Sequence, residues 1–410
     1  MKFFSTANAP ANLLERSFAA NIARIYPNGT APLFAYTGMA QKKFAKAIEH
    51  GYWQKRFQML NLRLAVAISA TVTTSFQFVS AQGVLPGHII RYSRPFSAGV
   101  YQAPEFVLVT AVNYATNTAT VIRGFTGTTP LAAISTAAEG IVVGNAWPEG
   151  SSGVQPRAII PTYNMNYTQI FRNAWRTSGT LAAVEAVVGK GNVQENKDDA
   201  MMFHAQEIEM SLLFGRKSMG TDPVSGEPLH TMDGLEAMIQ AAAPTNIKEA
   251  GATTNYTQLC DLCDGVFDTK SENMKAGNKR LVVAGKTAYQ TINRIGQLSG
   301  NYQLVQDQNE FGLQFTTFKT ARGEFDLVEH PLLQTSIETQ KMAIITDLSS
   351  WDLLALKGRD TDIRDINPGK TIDINSSDWS GGVITSEYTL ECQNPWAMGI
   401  IYNLTAGAAG

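Results

Sequence analysis

Cysteine, histidine, charge and long apolar runs are all scarce in this chain, and each shortage excludes a class of protein. Three cysteines in 410 residues do not make a disulfide framework. The chain reads as made and kept in a reducing cytoplasm. Charged residues are 17% of the total, against a usual share of roughly 25%. So thinly charged a surface suggests that much of it is covered by partners. There are 33 basic and 35 acidic residues, for a net charge of −2. A dedicated nucleic-acid binder carries a basic surplus to neutralise phosphates, so any contact with nucleic acid is local or indirect. No window reaches the roughly 18 to 20 apolar residues of a membrane span. Near the start, Phe3-Phe4 gives way at once to Ser5, Thr6 and Asn8, too short a run for a signal peptide. The expectation is a chain neither embedded in a membrane nor exported by the usual route.

Motifs of catalysis are just as thin. The five histidines, His50, His88, His204, His230 and His330, are scattered, and none pairs with another at i, i+4. His204 falls inside a helical stretch and reads as a packing or interface residue. Glu207 with Glu209, and Asp360 with Asp362, read as ordinary surface pairs. Neither G-x-S-x-G nor H-E-x-x-H occurs. Gly285-Lys286-Thr287 sits between a predicted strand and a predicted helix, as a phosphate-binding loop would. That loop needs a glycine five residues before the Gly-Lys pair, where this chain has Arg280. Cys260 and Cys263 form a lone C-x-x-C, with no second pair and no nearby histidine to complete four zinc ligands. Tyr256, Leu259, Cys263 and Phe267 share a helical stripe, which predicts a buried Cys263. No catalytic, cofactor-binding or metal-binding residue is predicted. Lys42, Lys43, Lys46, Lys55 and Arg56 interleave with Phe44, Tyr52 and Trp53. Such a run can bind single strands, but it also suits a solvated or neighbour-packing arm.

What is present is organisation. The apolar share, 44%, suffices for a real core. Residues 1–61 read as an arm. Leu14, Phe18, Ile22 and Ile25 fall at helical spacing behind a candidate cap, Asn12; the rest of the arm is expected to be extended. Residues 72–150 are rich in Val, Thr, Ile, Gly and Ser and read as a small all-β module. Phe106–Val112 is a predicted strand, 113–118 a turn, and Ala119–Arg123 the returning strand. Over residues 162–168, Tyr163, Met165 and Tyr167 alternate with Asn164, Asn166 and Thr168, a half-buried strand in a long hairpin.

Residues 192–217 are the longest helix candidate, about 38 Å at 1.5 Å per residue. Glu195, Asp198 and Asp199 crowd its early turns, as the helix dipole favours. Met201, Ala205, Ile208 and Leu212 form its apolar stripe. Residues 220–226 are a turn-rich loop. Residues 245–350 mix helices and strands, with Leu281–Ala284 a strand and Thr287–Ile295 a helix. Residues 351–410 hold strands around a loop at 365–382. In the last of these, Tyr388, Leu390 and Cys392 should point inward, and Glu387, Thr389, Glu391 and Gln393 outward. Asn394-Pro395 breaks the ladder, because proline has no N–H to give. Trp396–Tyr402 then resumes as a nearly continuous apolar strand.

That ending, Glu387-Tyr388-Thr389-Leu390-Glu391 followed by Asn394-Pro395, Ala397, Gly399 and Ile401, resembles the close of tailed-bacteriophage major capsid proteins with the Hong Kong 97-type fold. Leu212 to Lys217, then Gly220-Thr221-Asp222-Pro223 and Thr231-Met232-Asp233-Gly234-Leu235, resemble a branch of that family with a β insertion. Arg123-Gly124 and Gly127-Thr128 resemble a segment of such insertions. The resemblance implies an α+β fold with an N-terminal arm (1–61) and an extended loop (62–185) carrying an inserted β domain (72–150). A peripheral domain (186–244) with the spine helix 192–217, an axial domain (245–350) and return strands (351–410) would follow.

It also implies a structural subunit that self-assembles, as pentamers and hexamers, into an icosahedral or prolate head. Scaffolding and portal proteins are implied partners, with a decoration protein as an optional one. Packaged double-stranded DNA would be enclosed without specific binding. Assembly would take place in the host cytoplasm and the product would be the virion. Candidate interface residues are Leu14, Phe18, Ile22, Tyr163, Met165, Tyr167, Arg172, Arg176, Asp365, Glu387 and Glu391. Some relatives crosslink through a lysine, but residues 154–185 contain none, so no self-catalysed crosslink is expected. With the arm starting almost at Met1, separate scaffolding is expected rather than a cleaved leader. The alternatives are an encapsulin-type nanocompartment shell, against which the uncharged β insertion weighs, and a nucleotide-binding or thiol-redox enzyme.

Overall fold

A computed structural model describes residues 32–39, 43–56, 60–93, 103–136, 138–151, 156, 158–184, 192–269, 278–299, 305–310, 313–366 and 379–407. The helix expected around Leu14, Phe18 and Ile22 lies outside the described residues. Two compact units divide the chain: Trp53–Thr162, and Met1–Tyr52 with Tyr163–Gly410.

The smaller unit is a six-stranded antiparallel sheet. Its strands run in the order Asn61–Arg63, Glu139–Asn145, His88–Tyr92, Glu105–Asn113, Thr118–Ile122 and Ser75–Gln77. The predicted hairpin over 106–123 is there. Its turn uses Asn117 at φ 52°, a left-handed conformation that asparagine tolerates. One face buries Leu62, Phe76, Ile90, Tyr92, Val107, Val109 and Val121, each at the period of two that a half-buried strand requires.

Beside this core sits one buried charge pair. Arg123 grips Glu105 with two nitrogens, the Nη2–Oε2 bond being 2.8 Å, and its guanidinium lies over the Phe76 ring. The amides of Gly124 and Leu131 also donate to the Glu105 carboxylate, and Arg123 donates to the carbonyls of Ala70 and Leu131. Gly124 is required here. Its φ is +60°, and a Cβ would stand 2.5 Å from the Thr128 carbonyl oxygen.

The larger unit holds two further sheets with helices against them, an α+β arrangement. In the first sheet, Lys43–Ala45, Trp351–Leu356, Trp379–Cys392 and Gln169–Ser178 lie side by side. Asp362–Ile366 also pairs with Trp379–Cys392. The second sheet has seven strands in the order Ile247–Glu249, Gly399–Tyr402, Ala343–Thr346, Lys279–Ala284, Glu324–Glu329, Leu313–Lys319 and Val305–Glu310. Helices Tyr256–Cys263 and Lys286–Ser299 cover one of its faces through Leu259, Cys263, Ala288, Ile292 and Ile295.

The long helix is Asn192–Phe214, three residues shorter than predicted, and it packs on Gln169–Ser178 and Trp379–Cys392. Its buried stripe is His204, Ile208, Glu209, Leu212 and Leu213, while Met201 and Ala205 are only half-buried. The predicted stripe therefore shared Ile208 and Leu212 but missed two polar members.

The stretch expected to be extended after Tyr26 contains a helix, Pro32–Met39. The 365–382 loop is narrower than expected, since Asp365 is in strand register with Gly382. In the two-stranded ribbon Glu49–Gln54 with Thr162–Tyr167, the polar side of the alternation faces inward: Asn166 and Thr168 are buried and Tyr163 is exposed. Trp379–Cys392 buries residues of both parities. Tyr388, Leu390 and Cys392 are inside as predicted, but so are Glu387 and Thr389, because both faces of this strand carry neighbours.

Candidate functional site

The candidate site is the polar seam where the long helix, strand Gln169–Ser178 and strand Trp379–Cys392 meet. Glu209, read from sequence as a surface residue, is fully buried together with His330. The amides of Leu33 and Phe34 donate to its two oxygens at 2.9 and 2.7 Å, capping the free N–H groups of helix Pro32–Met39. His330 Nδ1 accepts the Leu332 amide, so its Nε2 carries the proton and donates to Glu209 at 2.7 Å. Three donors converge on one carboxylate, which repays the cost of burying it.

Five residues further toward the N-terminus, His204 sits 2.6 Å from Asn173 Oδ1 and 2.7 Å from Ser386 Oγ. Burial holds its pKa below the ordinary histidine value, with Glu207 opposing. Ser386 donates onward to Thr361, which bonds the Tyr388 hydroxyl, and that hydroxyl donates to Asp360 at 2.8 Å. On the other side of the strand, Glu387 accepts Thr168 Oγ1 at 2.6 Å and Arg359 Nε at 2.8 Å. Asn166 donates to the Leu390 and Asp233 carbonyls and accepts the Asp233 amide. His230 bonds the Thr168 carbonyl. Glu391 meets His50 at 2.8 Å, and that hydrogen bond holds its carboxyl below the usual range.

Glu387 and Glu391, expected on an outer interface, are thus drawn inside their own subunit by Thr168, Arg359 and His50. The other candidates divide. Arg172 is exposed and lines a groove of about 410 Å³ with Arg359, Asp360, Asp362 and Arg364. Arg176 stacks 4.1 Å above the Trp379 ring. Asp365 pairs with Lys197 at 3.1 Å. Tyr163 is exposed and donates to Glu49, Met165 and Tyr167 are half-buried, and the Met165 carbonyl accepts Lys217.

Nothing in the seam is arranged to react. Each histidine named above is engaged in a fixed structural bond. Burial pushes the Cys263 and Cys392 thiols up to about 12 and raises Cys260 as well, so all three stay protonated at neutral pH. Gly285 is wedged against the chain: a Cβ there would stand 2.3 Å from the Thr339 carbonyl oxygen. Its amide donates to Met342, so the turn has no room to wrap a phosphate. Among the described residues no group of three or more His, Cys, Asp or Glu could hold a metal ion. No helix among them is long and apolar enough to cross a membrane.

The buried polar bonds hold the long helix and the two strands to one another, which is structural work. The chain belongs to the SU10 major capsid protein family, whose model matches residues 2–405. It is 30% identical over 414 residues to the major capsid protein of Pseudomonas phage PaMx41, covering 98% of this chain and 95% of that one. Among solved structures it is similar to the capsid of an empty GTA particle (TM-score 0.46, 9% identity, 99% of this chain and 100% of that chain). A Mycobacterium phage Cain structure is also similar (TM-score 0.45, 9% identity, all of both chains). The chain is a major capsid protein that forms the phage head, a structural component of the virion that assembles with copies of itself, and not an enzyme.

Proposed function

We propose that the head is built from this subunit in a Hong Kong 97-type layout. The unit Trp53–Thr162 is the inserted β domain within an extended loop, the first sheet and long helix are the peripheral domain, and the seven-stranded sheet is the axial domain. The observation that carries this reading is the path of the C-terminus. Strand Trp379–Cys392 runs under the long helix, breaks at Asn394-Pro395, and re-enters the other sheet as Gly399–Tyr402 between Ile247–Glu249 and Ala343–Thr346. One chain end thereby ties the two sheets together.

In this reading the subunit forms pentamers and hexamers in an icosahedral or prolate shell, with scaffolding and portal proteins as further partners and a decoration protein as an optional one. Leu14, Phe18, Ile22, Tyr163, Met165, Tyr167, Arg172, Arg176 and Asp365 are its interface candidates, while Glu387 and Glu391 are engaged within their own subunit. Packaged double-stranded DNA is enclosed rather than gripped, because a net charge of −2 gives no basic surplus for phosphates. The shell holds without a self-catalysed crosslink. Negative-stain microscopy of the expressed protein, with and without its scaffold, tests the reading. Closed shells whose subunits migrate at monomer mass after denaturation are expected. Persistent monomers, or covalent ladders, would count against the layout or against the uncrosslinked shell respectively. Removing residues 1–26 should leave a folded subunit that assembles poorly.

A further inference from the structure

We propose that the open face of the six-stranded sheet in Trp53–Thr162 is a contact surface for a second copy of this chain. One face of that sheet is the core already described. The opposite face is also apolar. Ile89 pairs in register with Leu108, and Leu108 with Ile122, so these three line up across three strands. Arg91 pairs with Phe106 on one side and Ile141 on the other, placing both in the next row. Val143, two residues beyond Ile141, is the extra residue of a bulge between the Val142 and Gly144 pairings and is exposed as well. Ile122, Ile141 and Val143 are 49%, 54% and 57% exposed.

An antiparallel sheet with one face buried normally turns polar residues to water on the other. Here a patch spanning four strands does not. The fold of the unit does not need it covered, since its core is complete on the far side. Contiguous exposed patches of this kind mark interaction surfaces, and an apolar centre is what the middle of an interface contains.

The occupant follows from two observations. This chain's established partner is itself. Arg91 lies within the patch, between Phe106 and Ile141, and the charges at its border are of both signs, with Arg63 in register with Glu139. Such a border puts no net field in the way of a second copy of this chain. A polyanion would need a one-signed basic border.

Cysteine labelling tests this on the full chain. Ile141→Cys and Ile122→Cys replace exposed side chains, and the labelled position is read by peptide mass spectrometry. Maleimide should react readily in the free subunit and at least tenfold more slowly in purified heads, even after any other surface protein is stripped. Equal rates in subunit and head overturn the proposal. So does protection already present in the free subunit, or protection that vanishes on stripping. Intact heads with a reactive label would sink this contact while leaving the capsid layout standing. The double variant Ile122→Glu with Ile141→Glu gives an independent arm: unchanged circular dichroism with an onset concentration for assembly raised at least tenfold is expected. An unchanged onset overturns the proposal.

Discussion

Glu209 shows how far a residue's role can lie from its local sequence. Flanked by a helix face and paired in sequence with Glu207, it has the look of a solvated acid. In the fold it holds the start of helix Pro32–Met39 from 175 residues away and fixes the ring of His330. Removing one partner of a buried charged set costs about 3 to 5 kcal/mol, because the others are left unmet. Glu209→Ala should therefore lower unfolding stability by roughly 3 kcal/mol and expose residues 32–39 to rapid hydrogen exchange. A loss confined to a few tenths would show that the cap is unimportant.

His204 supplies a pH dependence of definite sign. Its folded-state pKa is depressed by burial, below an unfolded value of about 6.5. Between those values the unfolded chain binds a proton that the folded chain refuses, so stability is full above the unfolded pKa and falls as pH drops through about 6.5. Denaturant titrations from pH 8 to pH 5 should show that loss, and His204→Asn should flatten the slope. An identical slope in the variant would assign the pH dependence elsewhere.

At the scale of elements, what could be read from sequence was whatever a strand or helix settles with its immediate neighbours. The hairpin over 106–123 was legible from its turn residues and alternation. The long helix was legible from its acidic first turns and its spacing, and the last two strands from the proline between them. Three features were not legible, all for one reason. Helix Pro32–Met39 is stabilised by Glu209, the inward side of Thr162–Tyr167 is chosen by Asp233 and Leu390, and Glu387 is buried by Thr168 and Arg359. Each depends on a partner brought from far along the chain, and polar residues inside cannot be distinguished by pattern from polar residues outside.

The Arg123–Glu105 pair is the corresponding device in the smaller unit, joining strand Glu105–Asn113 to the turn after Thr118–Ile122. Arg123→Ala leaves Glu105 buried without its cation and should cost about 3 to 5 kcal/mol, read as an earlier thermal transition of that unit. Replacing the pair together, Arg123→Met with Glu105→Leu, should recover most of the loss. If the double variant were as unstable as the single, the carboxylate's bonds to Gly124 and Leu131 would be the dominant contribution.

For the whole molecule, the low charge noted at the outset determines how the shell should respond to conditions. With 17% charged residues and a net charge of −2, few ion pairs are available to hold copies together, and copies repel one another little. Exposed pairs are in any case worth at most about 1 kcal/mol and are screened by salt. The apolar residues that remain exposed, among them Phe203, Met219, Val224 and Leu229 with the open sheet face, would then have to supply most of the association energy. Burial of apolar surface weakens on cooling and is strengthened by sulfate. The concentration at which light scattering reports shells should therefore move by less than about threefold between 50 and 500 mM sodium chloride, about 0.6 kcal/mol per subunit at most. It should rise on cooling from 25 to 4 °C and fall in ammonium sulfate. A tenfold rise with sodium chloride and no response to temperature would mean that charge pairs, such as those around Arg172, Arg359 and Asp362, dominate the contacts, and that the scarcity of charge had been made good by placing the few there are at the interfaces.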